Sequence, residues 1–96
     1  MSEVVASRQI TVVNPQGLHA RPADLCARLA SRFVATIWIV KDDQRANGKS
    51  ILDILMLAAE YGSRLTIEAS GGDAEEAVEV LAGVLERASP TEAVAE

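Results

Sequence analysis

The chain has 96 residues, enough for one domain and no more. A formal charge of −5 lacks the basic surface that phosphate backbones demand, so nucleic acid is not an expected partner. Aromatic residues make up only 3% of a chain that is 49% apolar, so the core must be aliphatic; the single cysteine, Cys26, excludes an internal disulfide. The apolar runs fall far short of the roughly 20 residues of a membrane span, and Met1-Ser2-Glu3 begins nothing like a signal peptide. The expectation is a soluble cytoplasmic domain with no membrane insertion.

Residues 1–7 and 89–96 show no pattern and read as loose tails around a body from Arg8 to Ala88. Arg8 to Asn14 reads as a strand with Ile10 and Val12 on one face, ended by the turn signal Asn14-Pro15-Gln16-Gly17. A helix is expected from Ala20 to Arg32, burying Ala20, Ala23, Cys26, Ala27, Ala30 and Phe33. Val34 to Val40 is β-branched and apolar almost throughout. Ile37 and Ile39 share one face of that strand, and Thr36, Trp38 and Val40 the other. Asp42-Asp43 turns the chain into a short strand, Gln44 to Asn47.

Ser50 is a good N-cap for a second, shorter helix. Asp53 makes its capping box partial, and Gly62 is the expected C′ glycine. Arg64 to Ala69 forms another strand with Leu65, Ile67 and Ala69 inward. After Gly71-Gly72, Asp73 and Glu76 make a capping-box start for a third helix. That helix would bury Ala74, Ala77, Val78, Leu81, Val84, Leu85 and Ala88. The order β-α-β-β-α-β-α predicts an α+β fold: a four-stranded antiparallel sheet with three helices on one face. The other face, carrying Trp38, Thr11, Thr66 and Glu68, would meet solvent.

The segment Asn14-Pro15-Gln16-Gly17-Leu18-His19-Ala20-Arg21-Pro22-Ala23 carries the chemistry. It joins a strand to a helix, so His19 falls in the loop or at the N-cap. Pro22 fits the first turn, where a missing N–H costs nothing. The free backbone N–H groups of that turn, those of Ala20 and Arg21, make a site suited to an anion, and Arg21 adds a permanent positive charge. Gly17 lets the chain bend tightly just before. Neutral imidazole is nucleophilic near pH 7, so the arrangement suits a histidine that takes up a phosphoryl group. No metal site or cofactor is expected. Asp42-Asp43 has no further ligands clustered with it, and Cys26 falls on the buried stripe.

Gly17-Leu18-His19-Ala20-Arg21-Pro22-Ala23 resembles the active-site signature of the HPr family, and the likeness extends from Arg8 to Ala88. The resemblance implies that family's open-faced β-sandwich. It also implies that His19 is phosphorylated through Nδ1 and that Arg21 binds the phosphate. Enzyme I of the phosphoenolpyruvate-dependent phosphotransferase system would be the donor and an A-type domain of enzyme II the acceptor. Such a protein is a covalent intermediate whose partners supply the catalytic machinery, so it is not itself an enzyme, and a monomer is its natural state.

Lys49-Ser50-Ile51 resembles the family's regulatory serine site, where a serine kinase/phosphorylase acts on the residue matching Ser50. A dianion there would repel partners that expect an apolar patch. Gln44 to Gly48 departs from the familiar members. Ile51 and Leu52, with Leu18 beside the histidine, are the candidate docking patch, and Arg28 could meet an acidic rim. The alternative function is a regulatory HPr-like binding module controlled through Ser50 or His19.

Overall fold

The computed structural model describes residues 5–87. Its order is β1 (Val5–Thr11), α1 (Ala20–Ala30), β2 (Thr36–Lys41), β3 (Gln44–Asn47), α2 (Ile51–Met56), β4 (Arg64–Ser70) and α3 (Ala74–Arg87). All pairings are antiparallel and the sheet order is β1-β4-β2-β3. The α+β arrangement read from the sequence therefore stands.

Strict alternation builds the core. Ile37 and Ile39 on β2, with Leu65, Ile67 and Ala69 on β4, point to the helical side and are almost fully buried. From α1, Ala23, Cys26, Ala27 and Ala30 join the same buried cluster. From α3 come Ala74, Ala77, Val78, Leu81, Ala82 and Leu85. Each buried Ile or Leu stabilises the fold by roughly 1.5–3 kcal/mol relative to leaving it in water. Small residues at the α1 contact let that helix approach closely. Burial pushes the Cys26 thiol up to about 12.

The opposite face is polar. The Arg45 guanidinium lies 4.8 Å from the centre of the Trp38 ring and pairs with Glu68 at 3.3 Å. Thr11 is exposed and Thr66 and Glu68 are half-buried on that face, as the alternation predicts.

Several expectations need correction. The N-terminal strand begins at Val5, inside the stretch read as a tail, and residues 88–96 lie outside the described residues. Ala20 is exposed, since Pro22 and Ala23 are the residues of the first turn of α1 that face the interior. Val34 is 82% exposed and precedes β2, since its amide and that of Ala35 bond a side chain instead of a strand. That side chain is Asp73. Its carboxylate accepts from Val34 and Ala35 at 3.0 and 2.9 Å, tying α3 to the start of β2 where a capping box was expected.

Helix α2 ends at Met56, well before Gly62. The left-handed residue behind its C-cap is Ala58, with φ of 51°, while Gly62 (φ 87°) serves the turn into β4. Gly17, with φ of 75°, has no room for a side chain: a Cβ there would stand 2.7 Å from the Ala59 carbonyl oxygen.

Candidate functional site

The loop between β1 and α1 is built around Asn14, a buried polar residue. Its side-chain Oδ1 accepts from the Gln16 amide at 3.1 Å, and its carbonyl accepts from the Gly17 amide at 2.8 Å. The chain then turns against the segment after α2, where the Leu18 amide donates to the Ala59 carbonyl at 2.9 Å. This seats the residue that follows, His19.

His19 is the N-cap of α1, with extended backbone (φ −93°, ψ −166°). Its carbonyl accepts from the Ala23 amide at 3.1 Å, which opens the helix ladder. Its imidazole makes no capping hydrogen bond and is only half-buried. Among the described residues, the amides of Ala20 and Arg21 find no backbone acceptor either. The first turn of α1 holds no carboxylate to occupy them.

Pro22 packs into the interior from the same turn, fixing the helix start at no cost in hydrogen bonds. Arg21 is exposed and makes no ion pair among the described residues. The result is a nucleophile-bearing ring, two unpaired N–H groups at the positive end of an eleven-residue helix and a free guanidinium within one turn of chain. Chemically, that set can carry a group bearing several negative oxygens.

Helix α2 packs against α1. Ser50 is its N-cap, with its Oγ accepting from the Asp53 amide at 3.2 Å. The Asp53 carboxylate accepts from the Asn47 amide at 3.3 Å, three residues before the Ser50 amide that an ordinary capping box would use. The Lys49 ammonium reaches the Phe33 carbonyl at 2.7 Å and ties this helix start to the end of α1.

Ile51 and Leu52 are 37% and 67% exposed. Leu18 is not part of that surface. It is 7% exposed and belongs to the core, because the bond of its amide to Ala59 turns its side chain inward. Met56, 74% exposed, joins Leu52 one helical turn on, and the i, i+4 spacing was the signal that would have found it. Arg28 pairs with Asp24 at 2.9 Å on the exposed side of α1. The seat formed by Ala59 and Glu60 had no sequence signal, since it is made of backbone.

Among the described residues no group of His, Cys, Asp and Glu could hold a metal ion. No helix among them is long and apolar enough to cross a membrane. A shallow groove of about 420 Å³ between α1 and α3, lined by Leu29, Arg32, Phe33, Asp73, Glu76 and Val80, lies away from His19.

The family model described as the PTS HPr component phosphorylation site matches residues 6–87. Phosphocarrier protein HPr of Neisseria meningitidis is 38% identical over 78 residues, which is 81% of this chain and 88% of that protein. The HPr-like protein Crh of Halalkalibacterium halodurans is 39% identical over 83 residues, covering 86% of this chain and 99% of the relative. The crystal structure of phosphocarrier protein HPr from Bacillus anthracis superposes with a TM-score of 0.80 at 44% identity, covering 85% of this chain and 98% of that one. With the fold, the signature and these likenesses together, the chain belongs to the HPr phosphocarrier family of the phosphotransferase system.

Proposed function

We propose that the protein carries a phosphoryl group on His19, taking it from enzyme I and giving it to an A-type domain of enzyme II. The observation that supports this most is a half-buried imidazole at an N-cap, excused from capping, beside two unpaired amides. A ring nitrogen attacks the phosphorus of the donor, and the new N–P bond forms as the donor's bond breaks. The amides of Ala20 and Arg21 and the Arg21 side chain hold the three phosphoryl oxygens through the transfer. The onward transfer reverses these roles. The carrier has no catalytic machinery of its own in this reading and works as a monomer in the cytoplasm, with Ile51 and Leu52 under its partners. Sedimentation at working concentration checks the monomer.

Enzyme I with labelled phosphoenolpyruvate should place acid-labile phosphate on the chain. His19→Ala should abolish the uptake, and equal labelling of that variant would falsify the assignment. Arg21→Ala should still accept phosphate, but more slowly.

The likeness of Lys49-Ser50-Ile51 to the family's regulatory serine site, with Ser50 at the N-cap of α2, favours a second role in which Ser50 is the control point. A serine kinase/phosphorylase acting there would add a dianion beside the Ile51 and Leu52 surface and repel partners. Partners captured according to the state of Ser50, and indifferent to His19→Ala, would make regulation the main function.

A further inference from the structure

We propose that Lys41, at the end of β2, is a positioning residue for the chemistry of His19, acting through the segment between α2 and β4. The proposal rests on His19 being the phosphoacceptor. The loop before His19 is held internally by Asn14. Among the described residues, the only backbone hydrogen bond that residues 15–18 make outside this loop runs from Leu18 to the Ala59 carbonyl, at 2.9 Å. Gly17 is pressed against the same carbonyl and the Glu60 Cα. Where Ala59 stands therefore decides where Leu18 stands, and His19 is next in the chain.

Ala59 follows Ala58, whose φ of 51° is strained for an L side chain. Such a residue keeps its conformation only when both flanks are held. On the β4 side, the Val12 backbone bonds both Gly62 and Ser63. On the other side stands α2, six residues long and with no basic residue in its last turn.

Lys41 supplies what α2 lacks. Its ammonium donates to the Leu57 carbonyl at 3.2 Å, immediately before Ala58, at the negative end of the helix. Among the described residues this is the only side-chain hydrogen bond from another element to residues 57–63. The path runs from the Lys41 ammonium through Leu57, Ala58 and the Ala59 carbonyl to the Leu18 amide and His19.

Reacting groups misplaced by about 1 Å lose up to about a hundredfold in rate, so a remote brace of this kind acts on the chemical step. Lys41→Met keeps the apolar stem and removes the ammonium, and Lys41→Arg keeps a cationic donor. Hydrogen exchange of the Leu18 amide reads the seat, with Ile67 in central β4 as the control for global stability. Phosphorylation by enzyme I and phosphoenolpyruvate reads the chemistry. Lys41→Met should speed Leu18 exchange about tenfold relative to Ile67. It should lower kcat with KM nearly unchanged, and Lys41→Arg should restore both. Unchanged Leu18 exchange, or a rise in KM with kcat intact, overturns the brace. Phosphate uptake by His19→Ala overturns the phosphoacceptor reading instead, so the two failures are told apart.

Discussion

Asp73, the residue just before α3, holds the amide of Ala35 at 2.9 Å from a position 38 residues further along the chain. The second carboxylate oxygen takes the neighbouring Val34 amide at 3.0 Å. One side chain thus sets the entry of β2 and the start of α3 at once. Asp73→Ala would leave the Ala35 amide, on a buried residue, without its acceptor. The expected cost is about 2–3 kcal/mol, seen as a melting temperature lower by about 10 °C or more. Asp73→Asn retains one good acceptor and should lose about half as much. A melting temperature unchanged in Asp73→Ala would show that the two bonds contribute nothing net.

Gly17→Ala tests the seat of the His19 loop from the loop side. The added methyl would meet the Ala59 carbonyl at 2.7 Å, at a backbone φ of 75° that already disfavours alanine. A loss of about 2–3 kcal/mol in urea unfolding is expected from strain and displacement together. The rate of phosphate uptake should fall by more than stability explains, because the imidazole moves with the loop. A variant that folds well and accepts phosphate at the normal rate would contradict the packing described.

Cys26 makes stability depend on alkaline pH. Its thiol is held up to about 12 by burial, while the unfolded chain releases the proton at ordinary thiol pH. Below about pH 8 both states keep most of the proton, so the contribution is nearly constant. Above that, only the unfolded state loses it. Unfolding free energy should then drop by about 1.4 kcal/mol per pH unit until the folded-state value near 12 is reached. Denaturant titrations at pH 8, 9.5 and 10.5 on the protein and on Cys26→Ala isolate the effect, since the variant should lack that component of the slope. Parallel slopes in the two proteins would refute it.

Ala58→Gly should raise stability modestly, by about 0.5 kcal/mol. Relief of a left-handed alanine, roughly 1–2 kcal/mol, outweighs the extra entropy glycine brings to the unfolded chain. Thermal melts measure it. A destabilised variant would mean that the Ala58 methyl packs usefully where it stands.

The sheet, the helices and the turn that sets His19 at the start of α1 were legible in the sequence because each depends on local periodicity or a short motif. Ile37 and Ile39 alternate with Thr36, Trp38 and Val40 whatever else the chain does, and Gly17 to Ala23 carries its own turn, cap and charge. The errors cluster where distant backbone decides. Asp73 looks like a cap from its neighbours alone, but the amides it serves lie between α1 and β2, 38 and 39 residues back in the chain. Gly62 looks like the helix stop, yet α2 ends at Met56, with Ala58 taking the left-handed position before Ala59 meets Leu18. Leu18 reads as exposed beside an accessible histidine, and the same backbone bond turns it inward. The candidate site shows the same division. His19 and Arg21 come from the motif, while the backbone contact that seats their loop comes from Ala59, which no motif marks.

The dependence of residues 17 and 18 on residues 59 and 60 also fixes when the site comes into being. During synthesis His19 leaves the ribosome early, but its seat emerges some forty residues later, and β4, which pairs with both β1 and β2, later still. A chain broken off before Ala59 owns the nucleophile and the arginine yet has nothing to lean them against. In the role proposed for His19, competence would therefore arrive only once residues 59 and 60 are in place, near the completion of the sheet.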